Sequence, residues 1–318
     1  MMKIIFLGTP EFAVPSLKIL VDNGYDIAAV ITAPGKKAGR GLQIKEPAIK
    51  LYADDAQLKT YQPEKLSDPV FIEEIRSLKA DLFIVVAFRM LPEKLWNMPP
   101  KGTFNLHSSL LPQYRGAAPI NRVIMNGETQ TGVTTFFLKH EIDTGNIIKQ
   151  QHVNIGPDET AGELHDELMQ IGAELVLDTV RAIELGTATA IKQDELVISD
   201  IKTAPKIFTP DCQLDWSQTA QQLHNQVRGL SPFPGAFTHL EDQNGNKMLL
   251  KIYRSAITPI PASKSTGTLT VEGSKLFIDC SDFRLEILEI QQEGKKRIKS
   301  DEFVRGFRTE KGWKAVSN

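Results

Sequence analysis

Cysteine is nearly missing from these 318 residues, with Cys212 and Cys280 the only two. They stand far apart, with no Cys-x-x-Cys and no cluster of histidines nearby, which argues against both a disulfide framework and a zinc site. A reducing cytoplasm is therefore the expected compartment. Long apolar runs are missing too. The longest, such as Leu82-Phe83-Ile84-Val85-Val86-Ala87-Phe88, fall well short of the ~20 residues that span a bilayer and read as buried parallel strands, so no membrane association is expected. Met1-Met2-Lys3 leads straight into Ile4-Ile5-Phe6-Leu7 without a charged leader or an Arg/Ser-rich presequence. Gly-x-Gly-x-x-Gly does not follow the first strand signal, which removes the main argument for a dinucleotide site.

A strong net charge is absent as well, the formal sum being −2. Its distribution matters more than its size. Residues 1–205 carry 21 basic against 26 acidic side chains, whereas 206–318 carry 16 against 13. The positive balance of the later part, and the local clusters Lys36, Lys37, Arg40, Lys45, Lys50 and Lys295, Lys296, Arg297, Lys299, suit contact with a polyanion. Solvated faces of ordinary domains can carry the same charge, so the clusters matter only beside other evidence.

What is present along the first 185 residues is an alternation of strand and helix signals. Lys3–Leu7 and Ile27–Ile31 read as strands, Glu11–Asn23 and Asp68–Leu78 as helices, and Leu82–Phe88 as a strand. This alternation predicts a parallel α/β sheet. In the first turn Thr9 is expected to cap, with Pro10 at the first helical position. Thr160–Leu185 has apolar residues at helical spacing and is expected to close the domain against the sheet, with Met169 in the core. Gly186 stops that helix, and Thr187–Pro210 reads as an extended connector. A helix near Ser217–Arg228 follows, then short strands at 236–240, 248–254, 267–271, 275–279 and 285–290, with Asn244-Gly245-Asn246 as a turn. That pattern suggests a small barrel.

The densest chemistry lies in Asn105-Leu106-His107, in the Pro/Gly-bounded stretch Ser108–Gly116, and in Asp143. If 102–107 is a strand, Asn105 and His107 point the same way, with Leu106 buried behind them. Singly, His107 could be a hydrogen-bonded core histidine, Asn105 a turn residue and Asp143 a cap. Together they supply an amide to polarise a carbonyl, an imidazole to carry a proton and a carboxylate to hold the imidazole. Acyl transfer between two nitrogens is the leading chemistry, with Asn105, His107 and Asp143 as catalytic residues and no metal required.

Asn105, His107, Ser109-Leu110-Leu111-Pro112 closed by Gly116, and Asp143 resemble the motif of the formyltransferases that use 10-formyltetrahydrofolate. Phe6-Leu7-Gly8-Thr9-Pro10-Glu11-Phe12-Ala13, Lys37-Ala38-Gly39-Arg40-Gly41, Arg115-Gly116-Ala117-Ala118-Pro119-Ile120 and Ser231-Pro232-Phe233-Pro234-Gly235-Ala236 are similar to the branch of that family acting on methionyl-tRNA. The resemblance implies a Rossmann-like parallel-sheet formyltransferase domain over 1–186, a linker over 187–209 and a smaller OB-like β-barrel domain over 210–318 that binds tRNA. It implies formyl transfer to the α-amine of methionine on charged initiator tRNA for translation initiation, with 10-formyltetrahydrofolate as cosubstrate and no obligate protein partner. Ser109, Leu110, Leu111 and Pro112, with Phe88, Arg89 and Met90, would then border the folate. Lys36, Lys37, Arg40, Lys206, Lys295, Lys296 and Arg297 would contact the RNA. Gly35–Lys45 is expected to form a flexible basic loop. Arg89 departs from the family's usual glycine.

Two other readings stay open on sequence alone. One is a formyltransferase for a small amine, an amino sugar or glycinamide ribonucleotide. The other is a catalytically silent RNA-binding module that kept the fold. The third of the chain following residue 210 weighs against the ribonucleotide, and the intact Asn105, His107 and Asp143 weigh against the silent module.

Overall fold

The computed structural model describes residues 2–38, 43–196, 200–307 and 312–316. In chain order the elements are β1 (Lys3–Gly8), α1 (Val14–Asp22), β2 (Asp26–Ile31), β3 (Lys36–Ala38), β4 (Gln43–Lys45), α2 (Ala48–Asp55), β5 (Thr60–Tyr61), α3 (Pro69–Ser77), β6 (Leu82–Val86), α4 (Glu93–Trp96), β7 (Thr103–His107), β8 (Arg115–Gly116), α5 (Pro119–Met125), β9 (Gln130–Phe137), β10 (Ile147–Asn154) and α6 (Ala161–Glu184). They continue as β11 (Thr203–Ala204), α7 (Ala220–Leu230), β12 (Ala236–Glu241), β13 (Lys247–Pro261), β14 (Leu269–Glu272), β15 (Lys275–Asp279), β16 (Phe283–Gln292), β17 (Ile298–Lys299), α8 (Ser300–Gly306) and β18 (Lys314–Val316).

Contacts divide the chain into two compact units: Met1–Gly116 with Thr131–Val153 and His165–Thr203, and Ala117–Gln130 with Asn154–Leu164 and Ala204–Asn318. In the first unit a seven-stranded sheet runs in the order β10-β9-β7-β6-β1-β2-β5. Its five-strand run from β5 to β7 is parallel throughout. β6 is buried along its whole length, as a strand covered on both faces must be, which explains its unbroken apolar sequence. The parallel core meets the expectation, and beyond it β9 runs antiparallel to β7. One antiparallel edge on a parallel sheet is a common arrangement. Here it brings Phe136 opposite Asn105 and Thr134 opposite His107.

The first turn differs from the expectation. Thr9 does not cap: a 3-10 turn spans Glu11–Ala13 with Pro10 in the capping position and no side-chain cap. A side chain at Gly8 would meet the Ala13 Cβ at 2.6 Å and the Val86 carbonyl at 3.2 Å. This tight approach of helix and neighbouring strand favours the sharper turn over an ordinary α-helical start. Met169 is half-buried and so not a full core residue. α6 does close over the sheet, and Gly172 shows how: a Cβ there would lie 2.7 Å from the Leu106 side chain. Helix and β7 therefore touch directly behind Asn105 and His107, and Thr135 bonds Thr179 of α6 at 2.8 Å.

In the second unit the main sheet runs β14-β15-β16-β13-β12-β18, antiparallel at every pair. An isolated bridge between Thr268 and Lys314 ties the two outer edges together, with the Ala315 amide donating to the Gly267 carbonyl at 2.7 Å. The sheet thus curls on itself, in keeping with an OB-like fold. Gly267 has φ +80°, and a Cβ there would lie 2.2 Å from the Ala315 oxygen, so only glycine fits this closure. α7 starts on Thr219, whose hydroxyl and the Gln222 side chain cap each other's backbone. This reciprocal pairing fixes the helix start. Residues 117–130 and 154–164 pack with this unit: Gly162 donates to the Ser231 carbonyl, and Arg228 donates to the carbonyls of Gly156 and Glu159. Among the described residues no helix is long and apolar enough to cross a membrane.

Candidate active site

Asn105 and His107 lie two apart on β7, with His107 at the strand's carboxyl end. His107 is only 7% exposed. Its Nε2 stands 2.9 Å from the Tyr114 carbonyl oxygen. A carbonyl can only accept, so Nε2 carries the hydrogen and, in the neutral ring, Nδ1 keeps a lone pair. Nδ1 faces the Asp143 carboxylate at 3.9 Å, beyond hydrogen-bond reach. The imidazole is therefore positioned by Tyr114 and flanked by the edge-on ring of Phe136 at 6.5 Å, with the Asp143 carboxylate in ion-pair range of Nδ1. Asn105 is half-buried. Among the described residues its side-chain amide makes no hydrogen bond, which leaves its donors unused.

Asp143 occupies a left-handed backbone conformation, φ +56°, which aspartate tolerates better than most residues. The Gly116 amide donates to its Oδ2 at 3.0 Å, while Gly145 keeps the following chain close: a Cβ there would lie 1.5 Å from the Phe137 oxygen. Sequence reasoning missed Gln193. It lies in the segment read as a connector, yet is 3% exposed. Its Nε2 donates to the carbonyls of Asp143 and Gly145 at 2.8 and 2.7 Å. Its Oε1 accepts from Arg115 Nε and Nη2 at 3.0 and 2.6 Å. One amide thus joins the Asp143 turn to the end of the 108–116 loop. A lone glutamine outside any periodic pattern gives no signal that could have identified it.

The 108–116 loop is stapled from within. Ser109 Oγ donates to the Gln113 carbonyl at 2.7 Å. Thr134 Oγ1 donates to the Ser109 carbonyl and accepts from the Leu111 amide, and Gln150 Nε2 donates to the Leu111 carbonyl at 2.9 Å. Ser109, Leu111 and Pro112 are buried and Leu110 is half-buried. Tyr114 is 4% exposed with φ +60°. Phe88 packs against the sheet's apolar core, and Met90 is 74% exposed. Arg89 donates to the carbonyls of Pro63 and Glu64, so its guanidinium joins two loops.

The basic residues fall in several places. Gly35–Lys45, expected as an unstructured loop, contains an antiparallel ribbon in which Lys36 stands opposite Lys45 and Lys37 opposite Ile44. Arg40 lies outside the described residues. Lys206 is exposed, its Nζ 5.6 Å from the Phe208 ring centre. Lys295 and Lys296 are exposed on the turn before β17. Arg297 pairs with Glu289 and lies 4.4 Å from the Tyr253 ring centre. Among the described residues no three His, Cys, Asp or Glu side chains gather as metal ligands, and both cysteines are buried free thiols.

Residues 2–180 match the formyl transferase family and residues 206–308 the formyl transferase C-terminal domain. The chain is 47% identical over 315 residues to the methionyl-tRNA formyltransferase of Bacteroides fragilis, covering 98% of this chain and 97% of that protein. It is 48% identical over 312 residues to the same enzyme of Parabacteroides distasonis, with 96% of each covered. The chain belongs to the methionyl-tRNA formyltransferase family. It is a formyl-transferring enzyme. The N-formyltransferase of Helicobacter canadensis, solved with folinic acid and dTDP-3-aminofucose, shares the fold at a TM-score of 0.67 and 22% identity, over 92% of this chain and all of that one. HypX of Aquifex aeolicus, solved with tetrahydrofolic acid, does so at 0.64 and 17%, over 95% of this chain and 47% of that one. The likeness to these two structures is one of fold.

Proposed function

We propose that this enzyme transfers the formyl group of 10-formyltetrahydrofolate to the α-amine of methionine on charged initiator tRNA, in the bacterial cytoplasm, and that Asn105, His107 and Asp143 carry the transfer. The supporting observation is the shared face of β7, where an unpaired amide lies two residues from an imidazole whose free Nδ1 looks toward a carboxylate 3.9 Å away. Asn105 donates to the formyl oxygen as the amine adds to the formyl carbon and negative charge develops there. His107 carries a proton at Nδ1, its other nitrogen being committed to Tyr114. Asp143 stabilises the imidazolium across that gap and takes up the proton released by the attacking amine. The new C–N bond forms, the bond from the formyl carbon to the folate nitrogen breaks, and the proton goes to that nitrogen.

The side chains of Ser109, Leu111 and Pro112 are committed inward, so this stretch serves the folate through backbone groups, with Phe88, Arg89 and Met90 at its border. The formyl donor calls for no metal, because polarisation comes from Asn105. We assign catalysis to 1–186, a connecting role to 187–209 and tRNA binding to 210–318, joined by Lys36 and Lys37 of the basic ribbon and by Arg40. Lys36 opposite Lys45 supports that assignment, since like charges facing each other destabilise a ribbon unless an anion offsets them.

The test is transfer of isotopically labelled formyl from 10-formyltetrahydrofolate to methionyl-tRNA, compared with an amino sugar nucleotide and glycinamide ribonucleotide. Label on the charged tRNA is the expected result. Label on a small amine alone would replace this reading.

A further inference from the structure

The turn before β17, α8 and the segment at Trp313 line an open cavity of about 380 Å³ in the second unit. Its apolar walls include Met248, Ile298, Phe307 and Trp313, and its polar rim includes Lys295, Lys296 and Glu302. Phe303, Phe307 and Trp313 form a run of tilted rings, with centroids 4.6 Å and then 5.8 Å apart and planes at 32° and 34°. Gly306 also lines the cavity, and a Cβ there would meet nothing within 4 Å. The volume lies at the low end of the ~300–1,000 Å³ typical of small-molecule sites. It suits one planar ring system with a sugar and is too small for a helix.

The rim narrows the choice. Arg297 is tied to Glu289 and Tyr253, but among the described residues Lys295 and Lys296 have no ion-pair partner. Two ammonium groups beside a flat aromatic-walled slot match a phosphate next to a heteroaromatic base. A slot of this kind reads π-faces and charge together, as single-stranded nucleic acid sites do. Glu302 is an acceptor for an exocyclic amine on a base edge.

We propose that this cavity receives one unpaired nucleotide of the tRNA partner, its base stacked against Phe307 and Trp313 and its phosphate held by Lys295 and Lys296. The inference rests on the tRNA reading given above. It adds a base pocket to what would otherwise be a purely electrostatic contact.

The experiment uses the full-length enzyme and charged initiator tRNA. Equilibrium binding is measured at several salt concentrations for wild type, Trp313→Ala, Trp313→Phe, Phe307→Leu and the double variant Lys295→Ala/Lys296→Ala. Loss of stacking should weaken binding about 5- to 150-fold in Trp313→Ala, with the salt slope unchanged and most affinity kept in Trp313→Phe. The lysine pair should instead lower the slope by up to about two. Wild-type affinity in both Trp313→Ala and Phe307→Leu would overturn the pocket.

Ultraviolet crosslinking of the unmodified protein to tRNA, read by mass spectrometry, keeps the test independent of folding. A nucleotide attached at Phe307 or Trp313 supports the proposal. Crosslinks confined to other residues, in an enzyme that still formylates methionyl-tRNA, would remove the pocket and leave the function standing. Failure of the wild type to bind or formylate methionyl-tRNA would remove both.

Discussion

At the scale of single residues, the common face of Asn105 and His107 was legible because strand spacing is written in the sequence. The groups that hold them were not. Tyr114 acts through its carbonyl, which every residue possesses, and Gln193 acts through an amide far along the chain. Neither leaves a compositional trace. Gln193 also yields a direct prediction. Gln193→Ala removes both donors to the Asp143 turn and the acceptor for Arg115, so Asp143 should lose its placement against Nδ1. Turnover should fall by up to about 10²-fold, the scale of a 1 Å misplacement, with little change in KM for the formyl donor. Steady-state kinetics check this, and an unchanged kcat would reduce Gln193 to a packing residue.

At the scale of elements, the central strands were readable from their apolar runs, because burial on both faces demands them. The β3–β4 ribbon was not, since Gly35–Lys45 has neither alternation nor an apolar face, and only pairing reveals it. The antiparallel direction of β9 was hidden for a related reason: strand polarity is set by the connection, which composition does not report. If the ribbon grips RNA, Lys36→Ala and Lys45→Ala should each reduce the salt slope of methionyl-tRNA binding by about one at most. Folate binding should barely move. The opposite pattern would make the ribbon a folate lid.

α7 offers a pH test. His224 is buried, bonding Ser255 at 3.0 Å and the Pro157 carbonyl at 3.1 Å. Burial is the main cause that pulls its pKa below the usual histidine value, opposed by the Pro157 carbonyl and the nearby Asp158 carboxylate. With the folded pKa below the unfolded value of about 6.5, the unfolded chain binds more protons as pH falls. His224 therefore adds stability above that value that is lost below it. Denaturant titrations at pH 7.5 and 5.5 should show a larger loss for wild type than for His224→Gln. Equal losses would contradict the assignment.

At the scale of the whole molecule, the interleaving of the two units was the least legible feature. Residues 117–130 and 154–164 lie among first-unit elements in sequence but pack with the later half, a choice made by tertiary contacts such as Asn121 to the Gly229 carbonyl. A chain ending after Thr203 should accordingly melt well below the full protein and bind hydrophobic dyes, because Val123 and Ile124 of α5 lose their cover. An unaltered melting temperature would mean that the first half is self-sufficient. The central claim is that formyl transfer is carried by one face of β7 together with Asp143. Single-turnover transfer from 10-formyltetrahydrofolate to methionyl-tRNA by Asn105→Ala tests it most directly. The account predicts a rate about 10²–10³-fold below wild type with tRNA and folate affinities kept, whereas a near-normal rate would contradict it.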